Sequence, residues 1–152
     1  MKRFGKIILA FAIYCGLAYV SAIVIRRRNP EFGDEAGHRF AIVASMDGRE
    51  FRSTSEGLVE GSALAYMGGI EIDLTAAEIE EGATLTLTAI MGGINVIVPS
   101  SWRVEASSVG VMGGVTNETN PDDGDGPLLI VVAKAIMGGV SITDHANETA
   151  AF

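Results

Sequence analysis

The sequence is poor in the residues that most often carry chemistry. It has one cysteine, Cys15, and two histidines, His38 and His145, among 152 residues. A single cysteine excludes an intrachain disulfide and gives no support for an oxidising compartment. The two histidines lie far apart in the sequence, so we expect no histidine cluster that would bind a metal.

Catalytic patterns are equally scarce. The serines at 100, 101, 107 and 108 have no nearby histidine and no Gly-x-Ser-x-Gly motif. The glycine pairs lack the Lys-Ser/Thr of a phosphate-binding loop. The loop at 116–127 holds Asp122, Asp123 and Asp125, but it lacks EF-hand spacing and the terminal Glu, which favours a solvated loop over a calcium site. We therefore expect no catalytic residue, no metal, no cofactor and no enzyme activity.

The two parts of the chain carry net charges of opposite sign. Residues 1–28 contain no acid. Residues 29–152 hold five of the 11 bases and all 19 acids, which gives them a net charge of −14. This acidic segment excludes nucleic acid as a partner, because phosphate contacts require positive side chains. The remaining bases flank an apolar run near the N-terminus: Lys2, Arg3, Lys6, Arg26, Arg27 and Arg28.

That apolar run covers residues 7–25 and contains neither charge nor proline. As a helix it would be roughly 28 Å long, close to the hydrocarbon thickness of a bilayer. The alternative is a cleaved signal peptide, which would have a shorter core and an Ala-x-Ala site rather than three arginines. We predict an uncleaved, single-pass helix in the lipid bilayer of the cell membrane. The flanking bases nearly balance, so the side of the domain stays open, with the cytoplasm favoured.

One phrase returns along the rest of the chain every 21–25 residues. It reads Met-Gly-Gly at 67–69, 91–93, 112–114 and 137–139, with a weaker copy, Met-Asp-Gly, at 46–48. A short period of this kind is typical of repeats that stack into a solenoid. Apolar residues alternate with polar ones around each phrase, which indicates half-buried strands. We therefore predict an all-β solenoid whose unit is strand, Gly-Gly corner, strand and turn.

The corners predict three rows of aligned residues. We expect each Met in the core, and each glycine pair to supply positive φ and close backbone approach. The residue two before each Met is small, which predicts a tight interior row of Ala65, Ala89, Gly110 and Ala135. The residue just before each Met would form an outward apolar ladder, defined as Tyr66, Ile90, Val111 and Ile136. Another element covers this ladder, or the corner shifts the parity so that both rows are buried, or the ladder is a partner-binding stripe.

These patterns divide the chain into four parts. We predict a membrane anchor with basic flanks at 1–28, a linker at 29–37, the repeat β-solenoid domain at 38–145 and a frayed tail at 146–152. The Met46 unit is predicted to cap the solenoid. Within the domain, Thr75 and Glu78 form a capping-box pattern that predicts a helical turn at 75–82. The 116–127 loop is predicted to replace the second strand of the Met112 unit.

The amino-acid sequence of the repeats resembles that of the LiaF-like C-terminal domain family, the cell-wall-active-antibiotics response proteins. The phrases are MGGIEIDLTAAEIEEG at 67–82 and AIMGGINVIVPSSWRVEASSVGVMGGV at 89–115. The resemblance covers 57–143 and implies a compact β-solenoid of short stacked strands. It also implies a membrane-associated regulator of envelope-stress signalling, often working with a sensor kinase. It implies no catalytic residue, and family members commonly carry several spans where this chain has one.

Two functions follow as expectations. The first is a membrane-anchored, non-catalytic regulatory or interaction protein linked to envelope-stress sensing, with a membrane protein such as a sensor kinase as its partner. The alternative is a structural β-solenoid protein that self-assembles at the membrane as a homo-oligomer, because uncapped solenoid ends expose strand edges. A cap at the Met46 unit would argue against open polymers.

Overall fold

The computed structural model describes residues 2–28, 31–119 and 125–144, which form one helix and ten strands. His145, the 146–152 tail and the aspartates at 122 and 123 lie outside the described residues. Helix α1 is Lys2–Arg28. The strands are β1 Arg39–Ser45, β2 Gly48–Arg52, β3 Leu58–Tyr66, β4 Gly69–Asp73, β5 Ile79–Ile90, β6 Gly93–Val98, β7 Arg103–Val111, β8 Gly114–Asn117, β9 Leu128–Ile136 and β10 Gly139–Asp144.

The strands form two parallel sheets that pack face to face. The odd-numbered strands make one five-stranded sheet and the even-numbered strands make the other. Every second residue of a strand points inward, so Leu85 and Leu87 of β5 meet Ile94 and Val96 of β6 in a single buried cluster. Trp102, from the turn before β7, joins the same core. The predicted β-solenoid with one N-terminal apolar helix is therefore confirmed.

The stacking order differs from the order of the repeats in the sequence. The first sheet runs β1-β3-β5-β9-β7 and the second runs β2-β4-β6-β10-β8. The Met137 unit thus lies between the Met91 and Met112 units. The inner face of β9 carries Leu129 and Val131, which are buried, whereas that of β7 carries Ala106 and Ser108, which are exposed. Burial of apolar surface is favourable, so the more apolar unit takes the interior position.

The β1 end of the solenoid is closed by residues of the predicted linker. Phe32 pairs with Ala41 along the outer edge of β1. Farther along the same edge, the Glu31 carboxylate accepts a hydrogen bond of 3.1 Å from the backbone N–H of Val43. The Asp47 carboxylate accepts one of 2.8 Å from the backbone N–H of Ser45. These contacts satisfy donors that would otherwise invite another strand. The Met46 unit therefore forms the terminal unit, as predicted, and residues 31–37 contribute to its cap.

The opposite end consists of β7 and β8. Because β8 runs from Gly114 to Asn117 and pairs with β10, the prediction that a loop replaces the second strand of the Met112 unit is wrong. Strand β8 is short, and it leaves the inner face of β7 exposed at Ala106, Ser108 and Gly110. The two ends thus differ: one is closed by hydrogen bonds and the other presents small residues to solvent.

The predicted helical turn at 75–82 is also wrong, because β5 already begins at Ile79. A tight turn takes its place. The Asp73 carboxylate accepts hydrogen bonds from the backbone N–H of Thr75, at 2.9 Å, and from its hydroxyl. Burial alone raises the pKa of Asp73, but the hydrogen bonds from Thr75 and the charge of Arg52 outweigh it and hold that pKa below its usual value.

Candidate functional site

Each Met-Gly-Gly phrase forms the corner between a strand of the first sheet and the next strand of the second. All five corner methionines, including Met46, have φ between 53° and 61°, in the left-handed region. A left-handed residue breaks the alternation of the strand and turns its side chain away from the inner faces. Met91, for example, is 41% exposed and Met112 is 82% exposed. The prediction that the methionines belong to the core is therefore wrong.

The first glycine of each corner is required by a close backbone approach. A Cβ added at Gly68 would lie 2.2 Å from the carbonyl oxygen of Asp47, and one added at Gly92 would lie 2.2 Å from that of Gly68. Neither glycine has positive φ, so that part of the prediction is wrong, while the predicted close approach is correct. Asp47 takes the same position in the terminal unit. Within the described residues no unit precedes it there, so the Cβ of Asp47 points away from the stack. The weaker copy of the phrase is thus explained by its place at the end.

The second glycine of each corner forms an open strip on the outer face of the second sheet. A Cβ added at Gly93 would meet nothing closer than the carbonyl oxygen of Gly139, at 3.9 Å. The strip lies in a shallow groove of about 950 Å³, flanked by polar residues such as Glu71 and Asn95. The second glycine recurs in every unit, and this recurrence was the sequence signal for the groove. The prediction missed the groove because it assigned both glycines of each pair to the corner. The aligned glycines are Gly48, Gly69, Gly93, Gly139 and Gly114.

The predicted ladder exists as an aligned row on the outer face of the first sheet. Its spatial order is Tyr66, Ile90, Ile136 and Val111, because the last two units are exchanged. Tyr66 and Ile90 are half-buried, whereas Ile136 is 43% and Val111 is 55% exposed. Val109, two residues before Val111, extends the exposed part. One end of the ladder is therefore covered and the other is open, and its role as a partner-binding stripe stays a prediction.

Helix α1 covers the Tyr66 end of the ladder. The hydroxyls of Ser21 and Tyr66 share a hydrogen bond of 2.8 Å, and Ala22 beside Ser21 is 6% exposed. The rest of the helix carries large exposed apolar side chains. Among the described residues, Phe4–Val24 is the one stretch long and apolar enough to cross a membrane, a property that a signal sequence shares.

The basic residues all lie on α1, at both ends of this stretch. Lys6 is exposed in the first turn of this stretch, and Arg27 and Arg28 are exposed after its end. The side chains of Lys2, Arg3 and Arg26 lie outside the described part of the structure.

Titratable side chains do not assemble into a chemical centre in the parts of the chain that the structure describes. Within 2–28, 31–119 and 125–144, no three His, Cys, Asp or Glu side chains are placed to hold a metal. The His38 ring contacts the backbone carbonyl of Gly57 through Nδ1, an ordinary structural contact. The expectation that the protein has neither catalytic residues nor a cofactor stays a prediction.

No protein-family model, no curated protein and no solved structure matches this chain. The resemblance to the LiaF-like family thus stays a prediction that rests on the phrases at 67–82 and 89–115. In the described part of the chain, the surfaces open to interaction include the ladder, the groove along the second glycines, the exposed β7 end and the edge formed by the corners.

Proposed function

We propose that the protein is a membrane-anchored, non-catalytic interaction module with a regulatory role. The observation that carries this proposal is the stretch Phe4–Val24, whose large apolar side chains stand exposed beside a folded solenoid. An apolar surface of this size is unfavourable in water. Lipid chains would solvate it, and its length suits the hydrocarbon core of a bilayer.

The packing of the helix supports a permanent anchor over a cleaved signal peptide. Ser21 and Ala22 lie against the solenoid through the Tyr66 hydrogen bond and through burial of the alanine. A removable segment has no need of such contacts with the mature domain. The protein would then be a single-pass protein of the cell membrane, with the cytoplasm favoured for the solenoid. Arg27 and Arg28, exposed at the helix end, would contact anionic headgroups.

The exposed part of the ladder is the surface that we assign to a protein partner. Val109, Val111 and Ile136 form an apolar patch on the same outer face that α1 contacts. A partner that is itself a membrane protein would reach this patch from beside α1. By resemblance, the partner is a sensor kinase and the signal is envelope stress.

The partner surface is tested by co-purification of the full chain from cross-linked membranes. Val111→Asp and Ile136→Asp place a charge in the patch and should abolish recovery of a partner that wild type retains. Thr116→Asp, on the exposed outer face of the second sheet, is the matched control and should retain it. Unchanged recovery with both ladder variants, at normal protein levels, would eliminate the patch as the contact.

Self-assembly at the membrane is the second candidate, favoured by the open β7 end. Ala106, Ser108 and Gly110 are exposed on the last strand of the first sheet. Since the β1 edge is closed, two copies would pair through their β7 ends and stop at a homodimer. Light scattering of the detergent-solubilised chain should then show a dimer that Ser108→Lys converts to a monomer. A wild-type monomer at all accessible concentrations would exclude this function.

A further inference from the structure

We propose that the corner edge of the solenoid docks on the lipid bilayer and inserts its methionines at the boundary of the acyl chains. The corner edge comprises residues 46–48, 67–69, 91–93, 112–114 and 137–139. This inference rests on the proposed anchoring of α1 in the membrane. It adds a second lipid contact, made by the folded domain itself.

The contact between α1 and the first sheet fixes which edge faces the membrane. Near the C-terminal end of the helix, Arg28 lines the same surface cleft as Ala41 and Val43. Seven residues earlier, Ser21 meets Tyr66, at the end of β3. The helix therefore runs opposite to the strands that it covers. As a result, the ends of the first-sheet strands, and the corners that follow them, point toward the membrane-spanning part of α1.

The depth of the corners follows from the same contact. Ser21 lies three residues inside the end of the apolar stretch at Val24, or about 4.5 Å along the helix axis. The corner methionine is one strand residue beyond the ladder, about 3 Å deeper. The corner edge thus lies about 8 Å below the end of the apolar stretch, within the depth that interfacial segments reach. At this level the Tyr66 phenol would occupy the interfacial zone where tyrosine is enriched.

The chemistry of the corner edge suits lipid. Its methionine side chains are flexible and apolar, and four of them are at least 41% exposed: Met46, Met91, Met112 and Met137. With strands about 4.8 Å apart, the five corners form a row about 19 Å long that lies parallel to the membrane plane. Asp47 is the only acid or base in this edge, at its terminal unit, and it pairs with Arg49 at 3.3 Å.

The charge of the opposite edge favours the same orientation. The strands of the first sheet begin there and those of the second sheet end there, and acids are concentrated around these positions. Exposed acids in or just before the strands of the first sheet are Glu56, Glu60, Glu78, Glu80, Glu81 and Glu105. They outnumber the arginines at this edge, which are Arg39, Arg52 and Arg103. An acidic edge is repelled by anionic headgroups, so the domain would turn it to water and would turn the corner edge, whose one acid is ion-paired, to the bilayer.

The test places a fluorophore at single cysteines in the full chain, reconstituted into vesicles of phosphatidylethanolamine and phosphatidylglycerol. Spin-labelled lipids quench the fluorophore where it contacts lipid. The native Cys15 reports on α1. In a Cys15→Ala background, Met112→Cys and Met91→Cys report on the corner edge. Ser100→Cys, in the exposed turn after β6, reports on the opposite edge. Ile136→Cys provides a second site near the corners, at a residue without positive φ, should the corner variants fail to fold.

We expect the fluorophore to be quenched at Cys15 and at the corner cysteines. For lipids labelled near the headgroup, quenching at the corners should be at least about twofold greater than at Ser100→Cys. Quenching at Cys15 with corner signals equal to Ser100→Cys would overturn the docking and leave the anchor intact. Absence of quenching at Cys15 would overturn the anchor, and the docking with it. Equal quenching at all domain sites would indicate non-specific adsorption and would also overturn the proposal.

Discussion

The two glycines of each corner are adjacent in sequence, yet their surroundings differ. A methyl group on Gly92 would lie 2.2 Å from the Gly68 carbonyl oxygen, whereas one on Gly93 would have 3.9 Å to the nearest heavy atom. The stacked backbone thus demands the first glycine, and the packing of the protein does not demand the second. The methionine before them differs again, because it carries the positive φ of the corner. Repetition of a residue therefore does not reveal which physical constraint keeps it in place.

The largest effect is expected from Gly92→Ala. The new Cβ collides with backbone, which cannot rotate away as a side chain does, and it disrupts the hydrogen bond from Gly93 N to Gly68 O at 3.1 Å. We expect a loss of about 3 kcal/mol or more in the free energy of unfolding. Denaturant unfolding of the full chain in detergent measures it through Trp102, the only tryptophan, which is buried. A loss below about 1 kcal/mol would show that the stack adapts to a side chain.

Asp47→Ala changes the equivalent position in the terminal unit and should cost far less. Its Cβ is already accommodated, so only the hydrogen bond to Ser45 N and the ion pair with Arg49 are lost. Both contacts are partly exposed, and we expect a loss of about 1 kcal/mol in the same unfolding experiment. Asp47→Asn, which retains an acceptor for Ser45, should lose less. A cost equal to that of Gly92→Ala would contradict the assignment of Asp47 to an open end.

The fold was predictable because two independent patterns agree. Alternation around residues such as Leu85 and Leu87 indicates strands, and the recurring phrase indicates that they stack. The ladder register was also predictable, since each member is counted from its own corner. The stacking order of the units was not predictable from this alternation. The alternation indicates which face of a strand is buried, but it does not indicate which strand lies beside it. Only a comparison of how apolar the inner faces of β7 and β9 are would have indicated that the Met137 and Met112 units exchange places in the stack.

The two errors at the corner have one physical cause. Counting alternate residues through the phrase assumes an extended backbone, and a left-handed residue at Met91 interrupts that count. The methionine was therefore assigned to the wrong side and the positive φ to the wrong residue. Coverage of the ladder was undetermined for another reason. It depends on the contact between Ser21 and Tyr66, which are 45 residues apart and have no shared sequence pattern.

Met91→Gly tests the role of the methionine in the same comparison. Glycine removes the strain of a positive φ, worth about 1–2 kcal/mol, but it also gives the unfolded chain more freedom, which costs about 0.5–1 kcal/mol. We therefore expect a gain of about 1 kcal/mol or less in detergent, measured by denaturant unfolding. Met91→Ala keeps the strain and serves as the control, without the gain. A loss above about 1 kcal/mol for Met91→Gly would indicate that Met91 packs into the protein and would contradict its outward placement.

Gly93→Ala should have the smallest effect and the opposite sign to Gly92→Ala. Gly93 has no positive φ, and its added methyl group would point into the open groove. Restricting the unfolded chain should then raise the free energy of unfolding by about 0.4–1 kcal/mol. The measurement is the same unfolding curve, with Gly92→Ala beside it as the matched variant one residue away. If Gly93→Ala were instead as damaging as Gly92→Ala, both glycines would be structural and the groove would be only a by-product of stacking. If it is stable, the open strip is not required by the fold, and its recurrence in five units needs a cause outside packing.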